Sequence, residues 1–413
     1  MYDLAVIGAW AEFAIRWLHV ITAIAWIGSS FYFIALDLGL HRDRNLATGA
    51  DGEEWQVHGG GFYHIQKYLV APANMPDGLV WFKWESYATW LSGFALLAVV
   101  YYLGAEFYLI DPAVMDLSVP GAIAISVASL AFGWLAYNTL CKIFVEANQT
   151  LLMVALFGVL VGMSYFYANV FSGRAALLHL GAFTATIMSA NVFMIIIPNQ
   201  KIVVADLIAG RKPDPQFGKI AKQRSTHNNY LTLPVIFLML SNHYPLAFAS
   251  QWNWVIAALV FLMGVTIRHF FNSQHARRGT PWWTWAATAI IFVLIMWLST
   301  APMFQTDDRH EAHGPALRFA QAQGFDAARD IVLGRCSMCH AAEPGWEGLH
   351  WAPKGVVLET DHQIASHARA IYLQAGISHA MPPANLSFIE PEERAQIVAW
   401  YRNATGAGAP VVQ

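Results

Sequence analysis

Residues 175–198 read AALLHLGAFTATIMSANVFMIIIP, a stretch without a single Asp, Glu, Lys or Arg. Roughly 20 apolar residues in a helix are needed to cross the hydrocarbon core of a bilayer, so this stretch predicts a membrane-spanning helix. Seven further stretches of the same kind lie at about 9–36, 84–103, 120–140, 150–170, 230–248, 252–271 and 281–303. Residues 1–303 are therefore predicted to form an all-α, polytopic membrane helix bundle of eight spans.

The composition of the chain agrees with a membrane protein. Of the 413 residues, 56% are hydrophobic and only 12% are charged. This balance excludes an ordinary soluble enzyme. The net charge of -3 argues against a nucleic-acid partner, which would need a basic face. Membrane lipid is the predicted environment of most of the chain.

The Lys and Arg residues between the spans fall in alternate loops. Segments 37–83, 141–149, 199–229 and 272–280 hold nearly all of them, whereas 104–119 holds none. Because positive residues near spans are retained in the cytoplasm, both termini are predicted to lie on the outer side of the membrane. We expect the first span to act as the targeting signal, since it is too long for a cleavable signal peptide.

The two groups of four spans share a weak internal repeat. His19 and Ser29 of the first span match His179 and Ser189 of the fifth at a constant offset of 160 residues. This match predicts a 4+4 duplication, in which His19 and His179 lie at equivalent depths. Two such imidazoles could ligate a haem b or a metal between the halves. The alternative is that each one hydrogen-bonds a neighbouring helix.

The chain changes character after the eighth span. Residues 304–324 are polar and are predicted to be a linker to a small domain at 325–413. In that domain Cys336-Ser-Met-Cys339-His340 has the spacing by which two thiols on one helical turn bond a haem and the next imidazole faces the iron. The motif predicts a covalent haem c.

Residues around the motif favour the haem. Phe325–Leu333 is predicted to be a helix that leads into it, Pro391–Tyr401 is predicted to close the domain, and Met381 between them offers a thioether as sixth iron ligand. These residues resemble the class I cytochrome c family, which implies haem c on Cys336 and Cys339 and an extracytoplasmic position. The alternatives are a redox dithiol and a zinc site, the latter drawing on His362, His367 or His379.

Ligation by a histidine and a methionine raises the reduction potential of a haem. With His340 and Met381 as its two ligands, the iron would have no free position for a substrate. The haem is therefore expected to accept electrons, and the chemistry is expected elsewhere in the chain.

Three polar segments near the cytoplasmic ends of the spans complete the pattern. They are His58-Gly-Gly-Gly-Phe-Tyr-His64, Lys83-Trp-Glu-Ser-Tyr-Ala-Thr-Trp90 and Thr226-His-Asn-Asn-Tyr-Leu-Thr-Leu-Pro234. Their mixture of His, Lys, Glu and Asn, with a glycine triplet that lets backbone approach a ligand, suits a flat polar anion better than a metal. A solvated loop is the alternative.

Together with the eight spans and the cytochrome, these segments resemble the bacterial integral-membrane urate hydroxylase, a cytochrome c urate oxidase, over essentially the whole chain. The resemblance implies oxidation of urate to 5-hydroxyisourate with oxygen from water. Electrons would pass to the fused haem c and on to the respiratory chain, through a soluble cytochrome c or a terminal oxidase. We predict His227, Asn228, His64 and Glu85 as the catalytic set, because a histidine suits proton removal near neutral pH.

The sequence is also compatible with two functions of other classes. One is a haem- or copper-handling membrane protein, in which the histidines near the outer face carry the cargo. The other is a quinol-linked electron-transfer subunit without a substrate of its own.

Overall fold

The structure is a computed structural model that describes residues 4–43, 45–68, 76, 78–112, 114–144, 149–300, 312, 314–347, 349 and 352–406. Helices make up nearly all of its regular structure. Within the described residues, eleven α-helices precede the C-terminal domain: α1 (Leu4–Gly39), α2 (Trp84–Leu97), α3 (Ala105–Tyr108), α4 (Val119–Ile143), α5 (Gln149–Ala168), α6 (Gly173–Ala190), α7 (Ile197–Ile208), α8 (Pro215–Ser241), α9 (Pro245–Phe248), α10 (Asn253–His275) and α11 (Trp283–Thr300).

Six helices among the described residues are long and apolar enough to cross a membrane. They are Val6–Gly39, Val119–Ile143, Gln149–Ala168, Gly173–Ile208, Asn253–His275 and Trp283–Thr300. Each one coincides with a predicted span, so a helical bundle compatible with a membrane protein is confirmed.

The other two predicted spans are helical but do not reach the same length and hydropathy. Residues 84–103 form α2, which is regular over only 14 residues before a π-helical turn at Ala98–Tyr102. Residues 230–248 contain the second half of α8, which includes Pro234, and the short α9. The first half of α8 is strongly polar, and this lowers the hydropathy of the whole helix.

The helix α6 lies at the centre of the bundle, and α1 lies at its edge. Helix α6 contacts α2, α4, α5, α8 and α10, and it continues through a π-helical turn at Asn191–Ile196 into α7. Within the most apolar stretch of this continuous helix 56% of the residues are buried, whereas none is buried in the most apolar stretch of α1. The apolar face of α1 is therefore available to lipid, and the core forms around α6.

The two kinds of loop segregate to opposite ends of the bundle. At one end Asp37 contacts Lys67 and lies 4.0 Å from Lys222, and Gln223 donates a hydrogen bond of 2.8 Å to Gln149. These residues come from three of the four loops rich in Lys and Arg. At the other end, the segments 104–119, 171–174 and 249–251 come together beneath the C-terminal domain.

The segment 37–83 contains a β-hairpin, which the sequence did not predict and which adds two strands to the otherwise helical bundle. Strand β1 (Ala50–His58) pairs antiparallel with β2 (Gly61–Tyr68). Gly59 and Gly60 form the turn with φ of 59° and 80°, the left-handed conformation that a two-residue type I′ turn requires. The glycine triplet therefore turns the chain, and approach of its backbone to a ligand stays a prediction.

The C-terminal domain contains α12 (Leu317–Ala320), α13 (Phe325–Arg335), α14 (Ser337–His340), α15 (Asp361–Ser366), α16 (Ala368–Ile371) and α17 (Pro391–Thr405). The two predicted helices of this domain are thus present as α13 and α17.

The predicted linker at 304–324 is too long at its C-terminal end. Ala316 and Phe319 are buried in the core of the domain, and Trp400 Nε1 donates a hydrogen bond of 2.8 Å to the Phe319 carbonyl. The domain therefore begins before residue 325. Residues 301–311 and 313 lie outside the described part of the chain.

Candidate functional site

The bundle encloses a group of polar side chains from α4, α8, α10 and the π-helical turn after α6. We call this group the buried polar layer. On a helix, residues three and four positions apart lie on the same face. The polar residues of α8 can therefore contact the helices packed beside it. The members of the layer are Tyr137, Asn138, Asn191, Arg224, His227, Asn228, Asn229, Arg268 and Asn272.

His227 is the histidine of this layer, and its exposed fraction is 5%. Its Nδ1 lies 2.8 Å from the Tyr137 hydroxyl. Asn191 Nδ2 donates to that hydroxyl at 3.1 Å and to Asn228 Oδ1 at 2.9 Å, while Asn228 Nδ2 donates to the Met188 carbonyl at 2.9 Å. The second ring nitrogen of His227 makes no hydrogen bond to the described residues, so it is available for a ligand.

Arg224 lies one turn before His227 on α8. Its Nη2 donates to Asn138 Oδ1 at 2.9 Å and its Nη1 to Asn191 Oδ1 at 3.3 Å. The guanidinium lies over the Tyr137 ring, 4.9 Å from its centroid. The buried Nε has no partner among the described residues.

Arg268 occupies the other side of α8. Its Nε donates to Asn229 Oδ1 at 3.2 Å and its Nη2 to Asn272 Oδ1 at 2.9 Å, and Asn272 Nδ2 donates to Asn229 Oδ1 at 3.0 Å. The guanidinium lies 4.0 Å from the centroid of the Phe31 ring. Asn229 Nδ2 is buried without a partner among the described residues.

The electrostatics of the layer favour an anion. Arg224 and Arg268 are 3% and 5% exposed, and their partners are amides and aromatic rings; neither forms an ion pair with a carboxylate of the described chain. A buried charge without a counter-charge costs several kcal/mol. Each of the two guanidiniums lies beside an unsatisfied donor, on Arg224 itself and on Asn229 next to Arg268, so each is a position that a small anion would complete.

A pocket connects this layer with the end of the bundle that carries the Lys-rich loops. Its volume is about 550 Å³, within the range of small-molecule sites. His227 lines it together with Lys219, Lys222, Gln223 and Tyr230, and none of its described lining residues is a carboxylate. The pocket offers an anion a cationic route to His227.

Two members of the predicted catalytic set lie outside this layer. His64 is on β2, where its Nε2 is 2.8 Å from Glu53 Oε2 and its ring stacks on Trp55 at 4.2 Å. Glu85 lies in the first turn of α2. Neither makes a hydrogen bond or a ring contact with His227. The structure thus brings together His227 and Asn228, but does not bring His64 or Glu85 to them.

The sequence prediction missed Tyr137, Asn138 and Asn191. Asn138 and Asn191 lie inside predicted spans, where a polar side chain is costly and usually functional. That signal could have found them. Tyr137 carries no comparable signal, because tyrosines are common in this chain, with 15 in total.

His19 and His179 do not form a pair. His19 Nδ1 lies 3.0 Å from the Thr89 carbonyl and 3.1 Å from Ser92 Oγ of α2. His179 is fully buried, with Nε2 at 2.8 Å from Ser126 Oγ and Nδ1 at 2.8 Å from the Ala175 carbonyl. Because both nitrogens of His179 are engaged, its geometry does not fit an iron ligand. The haem b remains a prediction without support from these side chains.

The turn that carries the two cysteines of the C-terminal domain fits a covalent haem. Both thiols are free, and Cys336 and Cys339 flank a single helical turn. His340 Nδ1 donates to the Val356 carbonyl at 2.8 Å, which fixes the ring and leaves Nε2 for a metal. Burial and the neighbouring Cys339 raise the pKa of the Cys336 thiol to about 11. Among the described residues, no three metal-ligating side chains form a cluster, so the zinc alternative has no support.

Met381 lies in a loop that α17 holds in place. Its amide donates to the Gln374 carbonyl at 2.9 Å, and its carbonyl accepts from Arg394 Nη1 at 2.9 Å. Arg394 is 7% exposed and also donates to Asn385 Oδ1 at 3.2 Å. A fixed loop of this kind is what a thioether ligand needs.

The fold is a helical bundle in which several helices are long and apolar enough to cross a membrane, and the charges of its buried polar layer favour an anion. The family model described as Urate oxidase N-terminal matches residues 5–299, and the chain belongs to this family. Membership indicates an oxidoreductase that acts on urate. Searches among curated proteins and among solved structures gave no match. The matched range ends before the C-terminal domain.

Proposed function

We propose that the protein crosses the bacterial inner membrane eight times with both termini periplasmic, and oxidises urate to 5-hydroxyisourate. One urate and one water give one 5-hydroxyisourate, two electrons and two protons. The electrons pass to haem c in the C-terminal domain and from there to a soluble cytochrome c or a terminal oxidase.

The observation that carries this proposal is the pair of buried guanidiniums without carboxylate partners, Arg224 and Arg268. Urate is a planar anion near neutral pH, and its edge alternates N–H groups and carbonyls. The buried polar layer offers positive charge for the anion and amides for both kinds of group. The ring of Tyr137 offers an aromatic face.

His227 is the proposed base. When its Nδ1–H donates to the Tyr137 oxygen, the lone pair lies on Nε2, the nitrogen without a partner. Loss of two electrons from urate is coupled to loss of protons, and an imidazole can accept a proton near neutral pH. Asn228 and Asn191 hold Tyr137 and so fix the orientation of the imidazole.

Each urate gives up two electrons, and a haem c in this domain would carry them one at a time. His340 and Met381 are the residues that would hold its iron. Arg394 fixes the loop of Met381, and the Val356 carbonyl fixes the ring of His340. We derive no step through a haem b, because His179 uses both its ring nitrogens within the bundle.

The test is to add urate anaerobically to the oxidised, purified holoprotein and follow the c-type absorption band. We expect reduction of the band and formation of about one 5-hydroxyisourate per two haems reduced. If the haem stays oxidised, the proposal is refuted. The alternative functions would then be haem or copper handling and quinol-linked electron transfer.

The contribution of His227 is tested with His227→Ala, for which we expect loss of urate-dependent reduction while dithionite still reduces the haem. His269→Ala is the matched control, because His269 lies on α10 and is exposed. Equal activity in both variants would exclude His227 as the base.

A further inference from the structure

A second cavity lies where the C-terminal domain meets the ends of the bundle helices. Its volume is about 1030 Å³, and we call it the junction cavity. Its walls come from the start of α1, the residues after α2, the start of α6, the start of α10, and residues 354–356 and 366–370 of the C-terminal domain. The site in the buried polar layer does not include any of these residues.

The charged lining of the junction cavity is predominantly cationic. Arg174, Arg318, Lys354 and Arg369 line it, against the acids Glu12 and Asp111. Glu12 is already paired with Arg16 at 2.7 Å. None of the four cations forms an ion pair with a carboxylate in the described part of the chain, so the described lining of the cavity favours an anion.

Arg174 is the lining residue with the clearest capacity to bind a ligand. Its Nε is buried and has no hydrogen-bond partner among the described residues. Its Nη2 makes only a long bond of 3.4 Å to Asn242, and its guanidinium lies 5.2 Å from the centroid of the Tyr108 ring. Arg174 is also in the first turn of the 18-residue helix α6, whose amino end favours an anion. Charge, an aromatic face and unused donors therefore meet at one wall.

Residues 354–356, which also line the cavity, are joined directly to the predicted haem motif. Lys354, Gly355 and Val356 line the junction cavity, and the Val356 carbonyl accepts the hydrogen bond from His340 Nδ1 at 2.8 Å. Gly355 has φ of +66°, and a Cβ there would lie 2.4 Å from Cγ of Pro245 in the bundle. One segment of three residues thus contacts the cavity, the bundle and the predicted proximal ligand.

We propose that the junction cavity binds a second planar organic anion, of the class of urate, and that its occupancy lowers the reduction potential of haem c. The class of the anion and the presence of haem c rest on the proposed function. An anion held by Arg174 and Lys354 lies beside the segment that orients His340. Negative charge there favours the ferric state, which carries one more positive charge than the ferrous state.

Linkage makes the effect reciprocal: oxidised protein must bind the anion more tightly than reduced protein by the same factor. A tenfold difference in affinity corresponds to a fall of about 59 mV in the potential of a one-electron couple. The bound anion also joins the bundle to the C-terminal domain, because its contacts come from both.

The experiment is a redox titration of haem c in the intact holoprotein, with and without orotate. Orotate is a planar anion that shares the ureide edge of urate and is not oxidised by a haem c. We expect the potential to fall saturably, with a three- to tenfold weaker affinity after reduction. Sulfate at equal ionic strength is the control. An equal shift with sulfate would mean that salt alone acts on the haem, and would overturn the proposal.

Variants place the effect in the cavity. Lys354→Gln and Arg369→Gln should each weaken orotate binding at least fivefold and reduce the shift, whereas Arg329→Gln, on the exposed side of the same domain with Asp326 and Asp330 as partners, should not. A shift unchanged in both cavity variants refutes the proposal. His227→Ala should keep the shift although it no longer oxidises urate, so failure of the junction cavity and failure of the proposed function are distinguishable.

Discussion

Arg224→Met separates a ligand-binding role of the buried polar layer from a structural one. The wild-type guanidinium donates hydrogen bonds of 2.9 and 3.3 Å to Asn138 and Asn191. Their loss leaves two amide oxygens unsatisfied, at ~1–3 kcal/mol each. Removal of an unpaired buried charge acts in the opposite direction by several kcal/mol. We therefore expect the free energy of unfolding to change by less than about 2 kcal/mol.

The affinity for urate should respond quite differently. Truncation of one partner of a buried charge contact costs about 2–5 kcal/mol of binding, which corresponds to a loss of about 30- to 4000-fold in affinity. Binding is measured by calorimetry on dithionite-reduced protein, where urate cannot be oxidised, and stability by thermal unfolding in the same detergent. Arg278→Met, at an exposed arginine after α10, is the control. Destabilisation above about 4 kcal/mol with unchanged urate affinity would refute the reasoning.

Three further predictions concern single side chains. Tyr137→Phe should lower kcat by about 10- to 100-fold with little change in KM, because it frees the imidazole of His227 without removing the base; steady-state rates of urate-dependent haem reduction check this, and a change in KM alone would contradict it. Met381→Ala should leave the haem covalently attached but lower its reduction potential in a redox titration, whereas an unchanged potential would exclude Met381 as ligand. Burial alone would raise the pKa of the Glu393 carboxyl, but hydrogen bonds from the Glu390 amide and from Arg335 outweigh it and hold this pKa below the usual value. A carboxyl with a depressed folded-state pKa stabilises the fold above its unfolded pKa of about 4.3 and loses this contribution as pH falls through the folded pKa. Glu393→Gln should therefore cost stability in thermal unfolding at pH 7 and have little effect near pH 3; an equal cost at both values would contradict the ionic origin.

The helical framework could be predicted because membrane spans obey a local rule. A stretch such as 175–198 must be helical in lipid whatever its neighbours are, since every backbone group has to be satisfied within the segment. The hairpin at 50–68 obeys no such rule. Its strands are polar, and the signal for it was the two-residue glycine turn at Gly59 and Gly60, which fits a ligand loop equally well on sequence alone.

The candidate site was only half predictable for a related reason. Asn228 and His227 are adjacent in sequence and share a polar run. Tyr137 and Asn191 reach them from α4 and from the turn after α6, through contacts between helices that are 37 to 90 residues apart. No periodicity in the sequence encodes such contacts. His64 and Glu85 share the composition of the run but not its position in space.

In helix α8, the polar residues of the proposed site lower the hydropathy that a membrane span requires. Arg224, His227, Asn228 and Asn229 lie in one run of this helix, and they are the reason that it does not reach the hydropathy of a membrane span. Polar groups of this kind are expensive inside a bundle and persist where a ligand or a reaction requires them. Conversion of the run to apolar residues would make α8 a better span and remove the anion site. Among the long helices of the bundle, the one with the lowest hydropathy is therefore the one on which the proposed chemistry depends.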